Sequence, residues 1–245
     1  MTPEATKLFQ AHKTKAEAGD RVSQEQLGFC FLYGKGVDKD TDQGVAWYRK
    51  AAEQGLASAQ GAMGAFYHLG DYIARDLKVA VEWYRKAAEQ GDSVGQSSLG
   101  DCYFNGEGVP KDESQAFLWY EKAANQGCEH GQYNLGHCYF HGFGAVKDYV
   151  KAFLWYRKAA EQGDEFAQYS LGDLYANGEG TPKDEVEAYA FFNLAGVHSY
   201  NERTRKRLIT LEQKLSREEI AAGQRRSKEL QKEIEARILA KKAGK

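Results

Sequence analysis

The stretch DSVGQSSLGDCYFNGEGVPKDESQAFLWYEKAANQG, residues 92–127, decides the architecture. Its first half places Gln96, Leu99, Gly100 and Tyr103 at i, i+3, i+4 and i+7. Its second half places Ala116, Trp119, Tyr120, Ala123 and Ala124 at i, i+3, i+4, i+7 and i+8. Both are one-sided helical stripes, whereas a half-buried strand alternates with a period of two. GEGVPKD at 106–112 joins them. Gly106 suits the left-handed residue that ends a helix. Asp112 suits the N-cap of the next, and Gln115 completes a capping-box pattern that Asp184 and Glu187 repeat. Gly127 then closes the second helix.

The same hairpin recurs every 36 residues. Gln stands at 24, 60, 96, 132 and 168, and Gly at 28, 64, 100, 136 and 172. A second Gly series runs 34, 70, 106, 142 and 178, and Asp runs 40, 76, 112, 148 and 184. All four Trp, at 47, 83, 119 and 155, keep the step. A glycine inside a helix costs up to about 1 kcal/mol relative to alanine, so five of them need an offset. Close approach of the paired helix, through small residues such as Ala123 and Ala124, is the expected one. Trp and Tyr are expected to fill the seams between copies. One hairpin cannot bury both its faces, so the copies must stack. Three departures stand out. Tyr72 replaces a linker glycine, Gly44 replaces the alanine of other copies, and Phe191-Phe192 replaces Trp-Tyr.

LGDCYFNGEGVPKDESQAFLWYEKAANQG resembles the Sel-one-like repeat (SLR), a relative of the tetratricopeptide repeat, and WYRKAAEQG occurs verbatim at 47–55, 83–91 and 155–163. The resemblance covers about residues 20–198. It implies an all-α, right-handed α-solenoid of stacked hairpins with a concave face lined by the first helices. It also implies adaptor and scaffold roles rather than one chemistry. The expected organisation is an N-terminal capping helix at 1–19 and repeats at 20–55, 56–91, 92–127, 128–163 and 164–199. Residues 200–245 follow as a helical cap and basic tail. SREE at 216–219 opens a helix there, and KKAGK frays at its end.

Composition narrows the function classes. Of 245 residues, 42% are hydrophobic and 28% charged, with only 3 Pro, which argues against collagen and Pro-rich disorder. No apolar run approaches the ~20 residues of a membrane span, and the N-terminus shows no secretory signal. Without a leader the chain is expected in the cytoplasm, or in the periplasm if one has been removed. The formal charge of −2 hides a split: residues 198–245 carry 14 Lys+Arg against 7 Asp+Glu, and the body carries 19 against 28. The tail can therefore dock on its own acidic body or project as a nucleic-acid arm. Cys30, Cys102 and Cys138 share one repeat position on the apolar side of a helix, so they read as small buried thiols.

The tetratricopeptide relatives imply concave-face positions three before the helix glycine, and one and four after it. Among these, Phe29, Leu32, His68, Asp101, Phe104, Tyr133, His137, Phe140, Tyr169 and Asp173 are the candidate groove residues. Aromatics flanked by polar groups suit a peptide groove, although Phe104 and Phe140 could instead turn inward. His130, His137 and His141 share one helical face, and His137 with His141 at i, i+4 could hold a divalent metal. Asp101, His137 and Asp173 form a ladder without a nucleophile, so no catalytic relay is read from it. GKG, GEG, GFG and GEG at 34–36, 106–108, 142–144 and 178–180 follow helices rather than strands and read as turns, not phosphate loops. The resulting expectation is a scaffold that binds a protein or peptide partner, with no cofactor, no membrane span and no small-molecule substrate. The alternatives are nucleic-acid or acidic-partner binding through RTRKR at 203–207, and a β-lactamase-like enzyme, for which the companion motifs are missing.

Overall fold

Five aspartates set the turns. The side chains of Asp40, Asp76, Asp112, Asp148 and Asp184 each accept a backbone N–H of the helix they open, as Asp112 does from Ser114 (3.0 Å) and Gln115 (2.9 Å). Their own backbone N–H groups donate to the carbonyls of Phe31, Tyr67, Tyr103, Tyr139 and Tyr175 in the preceding helix, at 2.8–3.0 Å. That bond takes the donor which a reciprocal capping box would give to Gln115 or Glu187. Ser216 and Glu219 do form the reciprocal box: the Ser216 N–H donates to Glu219 Oε2 at 2.8 Å, and the Glu219 N–H donates to Ser216 Oγ at 3.3 Å.

The computed structural model describes residues 2–197 and 202–243, which form thirteen helices and, among the described residues, no strand. The first is α1 (Pro3–Glu17). Five hairpins follow: α2 (Arg21–Tyr33) with α3 (Thr41–Glu53), α4 (Ala57–Leu69) with α5 (Leu77–Glu89), α6 (Ser93–Asn105) with α7 (Glu113–Asn125), α8 (Glu129–His141) with α9 (Tyr149–Ala160), and α10 (Glu165–Asn177) with α11 (Glu185–Ala195). Helices α12 (Glu202–Glu212) and α13 (Arg217–Ala243) complete the chain. The fold is an all-α solenoid of helical hairpins. It divides into two compact units, Met1–Ala123 and Ala124–Lys245. The junction expected at 199–200 and the last two residues of the KKAGK end lie outside the described residues.

Each first helix ends on a left-handed glycine, Gly106 at φ 75° for example. Where other linkers carry a second such glycine, Tyr72 keeps a negative φ and packs its ring on Phe66 at 5.0 Å, so that turn runs differently. The linker glycines are structural. A methyl group on Gly36, Gly108 or Gly180 would strike the backbone carbonyl of Ala5, Leu77 or Tyr149, in the second-type helix before each hairpin.

The glycines inside the first helices have a different opponent from the expected alanines. A methyl group on Gly64 would meet the Tyr84 ring at 2.5 Å, on Gly100 the Tyr120 ring at 2.6 Å, and on Gly136 the Tyr156 ring at 2.8 Å. On Gly172 it would meet the Phe192 ring at 2.7 Å. The tyrosine therefore lies over the glycine of its own hairpin rather than in the seam between copies. Trp47, Trp83 and Trp119 pack against clusters that join successive copies: Trp47 against residues of α1 and α2, Trp83 against residues of α2, α3 and α4, and Trp119 against residues of α5 and α6. A lysine covers the open side of every indole, with Nζ 3.7–4.3 Å from the ring centre. Gly44 replaces alanine because the Leu32 side chain fills that space, 2.6 Å from where a methyl would sit.

The repeated glutamine fastens three helices. Gln60 Nε2 donates to the Ala52 carbonyl of α3 at 3.0 Å, and Gln60 Oε1 accepts from Nε2 of Gln90, which caps the end of α5, at 2.6 Å. Gln24 repeats the pattern on Ala16 and Gln54, and Gln132 repeats it on Ala124 and Gln162. In the fifth copy Gln168 Oε1 is buried with no hydrogen-bond donor among the described residues. The equivalent of Gln162 there is His198, which lies outside them.

Both ends are covered within their own unit. Phe9 and Ala16 of α1 are buried against α2. Helix α13 docks on α11: Gly223 lies against Tyr189, Arg226 pairs with Glu187 at 3.0 Å, and Asn193 donates to Ser227 at 3.1 Å. Farther along, Arg237 pairs with Glu161, and Lys241 donates to Gln162 Oε1 at 2.7 Å. The basic tail is thus bound to its own acidic body through α13. Cys30, Cys102 and Cys138 are buried thiols, and burial pushes the Cys102 thiol up to about 12.

Gln60→Ala removes a buried donor and a buried acceptor together. It is expected to cost about 2 kcal/mol by urea unfolding. The exposed Gln115→Ala is expected to stay within about 0.5 kcal/mol of wild type.

Candidate functional site

Packing each aromatic ring onto a glycine fixes which side of the first helix is left over. The residues of that side recur at i, i+4, i+7 and i+11, some exposed and others, such as Ala62, Ala65, Asp101 and His137, half-buried. They are Val22, Gln26, Phe29 and Tyr33 on α2, then Ser58, Ala62, Ala65 and Leu69 on α4, then Val94, Ser98, Asp101 and Asn105 on α6. In the second unit they are His130, Asn134, His137 and His141 on α8, and Phe166, Ser170, Asp173 and Asn177 on α10. Large apolar side chains stand in the open here: Tyr33 is 53% exposed, Leu69 64%, Val94 61% and Phe166 62%.

This stripe is rotated from the expected groove positions. Phe29, Asp101, His137 and Asp173 lie on it. Leu32 does not: it is 2% exposed, because it fills the space over Gly44. Tyr169 is also buried, and His68, Phe104, Tyr133 and Phe140 flank the stripe half-buried. Val22, Tyr33, Leu69, Val94 and Phe166, which are not among the expected groove positions, also lie on it and stand exposed. The spacing of His130, His137 and His141 was the signal that could have found them, since it marks this same side of the helix.

In the first unit the flanking polar groups are tied locally. His68 Nε2 lies 2.9 Å from Glu107 Oε2, and the Tyr84 hydroxyl is 3.5 Å from His68 Nδ1. The Tyr120 hydroxyl donates to Asp101 at 2.8 Å. The Phe29 and Tyr33 rings meet at a tilt with centres 4.6 Å apart, and Lys111 Nζ lies 5.5 Å from the Phe104 ring centre.

In the second unit Tyr133, His137, Phe140, Phe166, Tyr169 and Asp173 converge on one cleft of about 330 Å³. One wall is a run of rings. Phe166 to Tyr133 is 5.9 Å between centres, Tyr133 to His137 6.2 Å, His137 to His141 4.4 Å, and His141 to Phe143 5.2 Å. Burial, with a smaller contribution from the neighbouring His141, lowers the His137 imidazole to about 4. Burial and Lys147 lower His141 as well. Both rings are therefore neutral, aromatic surface near pH 7. Among the described residues no group of three or more His, Cys, Asp or Glu is placed to hold a metal ion.

The other wall comes from the tail. Arg207 Nη2 pairs with Asp173 Oδ1 at 2.7 Å, and Arg203 Nη2 lies 3.8 Å from Asp173 Oδ2. Arg203 Nε donates to the Tyr169 hydroxyl at 3.0 Å, with its guanidinium 4.4 Å over the ring centre. Burial raises the Asp173 carboxyl, and the two arginines pull it the other way. The RTRKR segment thus commits two of its arginines to α10; Asp173 is held by Arg207, and His137 packs among rings.

His137 has a pH signature. Its folded value lies below the unfolded value of about 6.5, so the folded state binds fewer protons between the two. Its contribution is fully present above about pH 6.5 and is lost as pH falls toward about 4. Discounted for partial exposure, the loss is on the order of 1 kcal/mol. Thermal unfolding from pH 7 to pH 4.5 should show a smaller decline for His137→Phe than for wild type.

The comparisons with known proteins agree with the hairpin repeat. The family model described as Sel1 repeat matches residues 22–56, 57–92, 93–128, 130–164 and 166–196. The structure is similar to that of a Sel1 repeat protein from Oxalobacter formigenes, with 29% identity and a TM-score of 0.74 over 96% of this chain and 91% of that one. It is similar to c5321, a protective antigen of uropathogenic Escherichia coli strains displaying an SLR fold, with 30% identity and a TM-score of 0.63. That match covers 97% of this chain but only 58% of the antigen's chain. The immunity protein Pa5087 from Pseudomonas aeruginosa, at 21% identity and a TM-score of 0.51 over 80% of this chain and 74% of that one, shares the fold. No curated protein matches the sequence.

Proposed function

The chain belongs to the Sel1 repeat family, and we propose that it binds a protein segment along the uncovered stripes of its first helices. Sel1 repeat proteins are generally protein-interaction scaffolds. The observation that carries the finer reading is the recurrence of exposed Val, Phe, Tyr and Leu at one helical position after another, on the side turned away from the second helices. Scattered exposed apolar residues need no explanation, but a repeated stripe of them marks an interaction surface. The cleft lined by Tyr133, Phe140 and Phe166 adds concavity and rigid ring surface. Ser170 and Asn177 at the same cleft offer the few polar groups that set the register of a bound segment. Among the described residues no helix is long and apolar enough to cross a membrane.

Photocrosslinking in the source cells tests this reading. p-Benzoylphenylalanine placed at Phe166 or Leu69 is expected to crosslink a partner protein, whereas the same group at the exposed Leu118 of α7 is not. Tyr133→Ala combined with Phe140→Ala is expected to reduce capture of that partner by about tenfold. Crosslinks confined to Leu118, or full capture by the double variant, overturn the reading.

A further inference from the structure

The first helices are almost empty of cations. In the first unit α2, α4 and α6 carry a single Lys or Arg, Arg21, while α3, α5 and α7 carry six. Arg21 stands at the first position of α2 and its Nη1 turns to the Gln54 carbonyl at 3.4 Å. Of the linker cations, Arg75 Nε donates to the His68 carbonyl at 2.9 Å and Lys111 pairs with Glu113 at 2.9 Å, while Lys35 and Lys39 stand exposed in the first linker. Along the stripe of this unit the one ionised side chain is Asp101, with Glu25 beside the stripe on α2. The exposed large apolar side chains of the same helices include Phe29, Tyr33, Leu69 and Val94.

The second unit shows what a carboxylate at this repeat position accepts. Asp173 is the equivalent of Asp101 two copies later, and a basic helix of the chain itself lies on it. Helix α12 delivers Arg207 to Asp173 at 2.7 Å and lays Arg203 over a neighbouring ring. Charge-assisted pairs of this kind are the strong polar contacts of an interface, and a face without cations of its own favours a basic partner over an acidic one.

We propose that the first-helix face of residues 21–105 takes a basic, amphipathic segment of a partner protein, its Lys or Arg seated on Asp101 and its apolar side chains on Phe29, Tyr33 and Leu69. The inference rests on the scaffold reading above and adds the chemistry of the partner. It places α12 on α10 as the intramolecular version of the same contact.

Selection from a library of random 16-residue peptides displayed on phage, with the full chain as bait, tests it. Parallel baits are wild type, Asp101→Asn and the double variant Phe29→Ser with Leu69→Ser. Asn keeps an acceptor for the Tyr120 hydroxyl and removes only the charge. Wild type is expected to enrich peptides that mix Lys or Arg with apolar residues. Their affinity should fall about tenfold on Asp101→Asn and should weaken between 0.05 and 0.5 M salt. If the enriched peptides are neutral or acidic, or bind Asp101→Asn as tightly, the basic-partner inference is overturned. The scaffold reading survives that result when the double variant still loses binding. If no enriched peptide responds to any first-helix substitution, both are overturned.

Discussion

An aromatic ring pressed onto a glycine is the contact on which the rest of this structure depends. It sets the distance between the two helices of a hairpin, with less than a methyl group of spare room at Gly64, Gly100, Gly136 and Gly172. It also sets their rotation. With Tyr84, Tyr120, Tyr156 or Phe192 fixed over the glycine, the alanines of the second helix turn to the core, and the tryptophan turns to the preceding helix. The buried glutamine then finds a carbonyl on one side and a glutamine amide on the other. None of these bonds is large by itself, since a net hydrogen bond contributes about 1 kcal/mol. Repetition at a step of 36 residues makes each copy supply the surface that the next one needs.

The same constraint explains why part of the chain is left uncommitted. A first helix has one side against its partner's ring and flanking sides against the neighbouring second helices. The remaining stripe, i, i+4, i+7 and i+11, meets little from its own hairpin beyond contacts such as Tyr120 with Asp101 and Phe143 with His137. Its most exposed residues, Phe29, Tyr33, Leu69 and Phe166, are the least constrained by the fold, while Asp101 and His137 are half-buried and engaged. At the last hairpin the chain uses its own stripe: α12 places arginines on Tyr169 and Asp173, and α13 covers α11 and reaches back to Gln162.

Much of this was legible in the sequence. The period, the helix-ending glycines and the capping aspartates are local signals, and Gly106 and Asp112 behave as their types require. The opponent of the interior glycine was not legible. Tyr120 and Ala124 share one face of α7, and sequence alone does not say which of them meets Gly100. The exposure of the groove positions was not legible either: Leu32 is drawn inward over Gly44, and Tyr169 packs on the Phe192 ring. The docking of RTRKR was half legible. A basic tail and an acidic body make docking favourable, but only three dimensions show that Asp173 and Tyr169 receive it.

The most direct test is a double-mutant cycle on the ring–glycine contact of the last hairpin, where Phe192 carries no hydroxyl to complicate the reading. Gly172→Ala is expected to destabilise the wild type by about 2 kcal/mol, because the added methyl overpacks the contact. In the Phe192→Leu background the same substitution should cost less than about 0.5 kcal/mol, the ring having been removed. An equal cost in both backgrounds would show that the ring is not what the glycine makes room for, and would contradict this account.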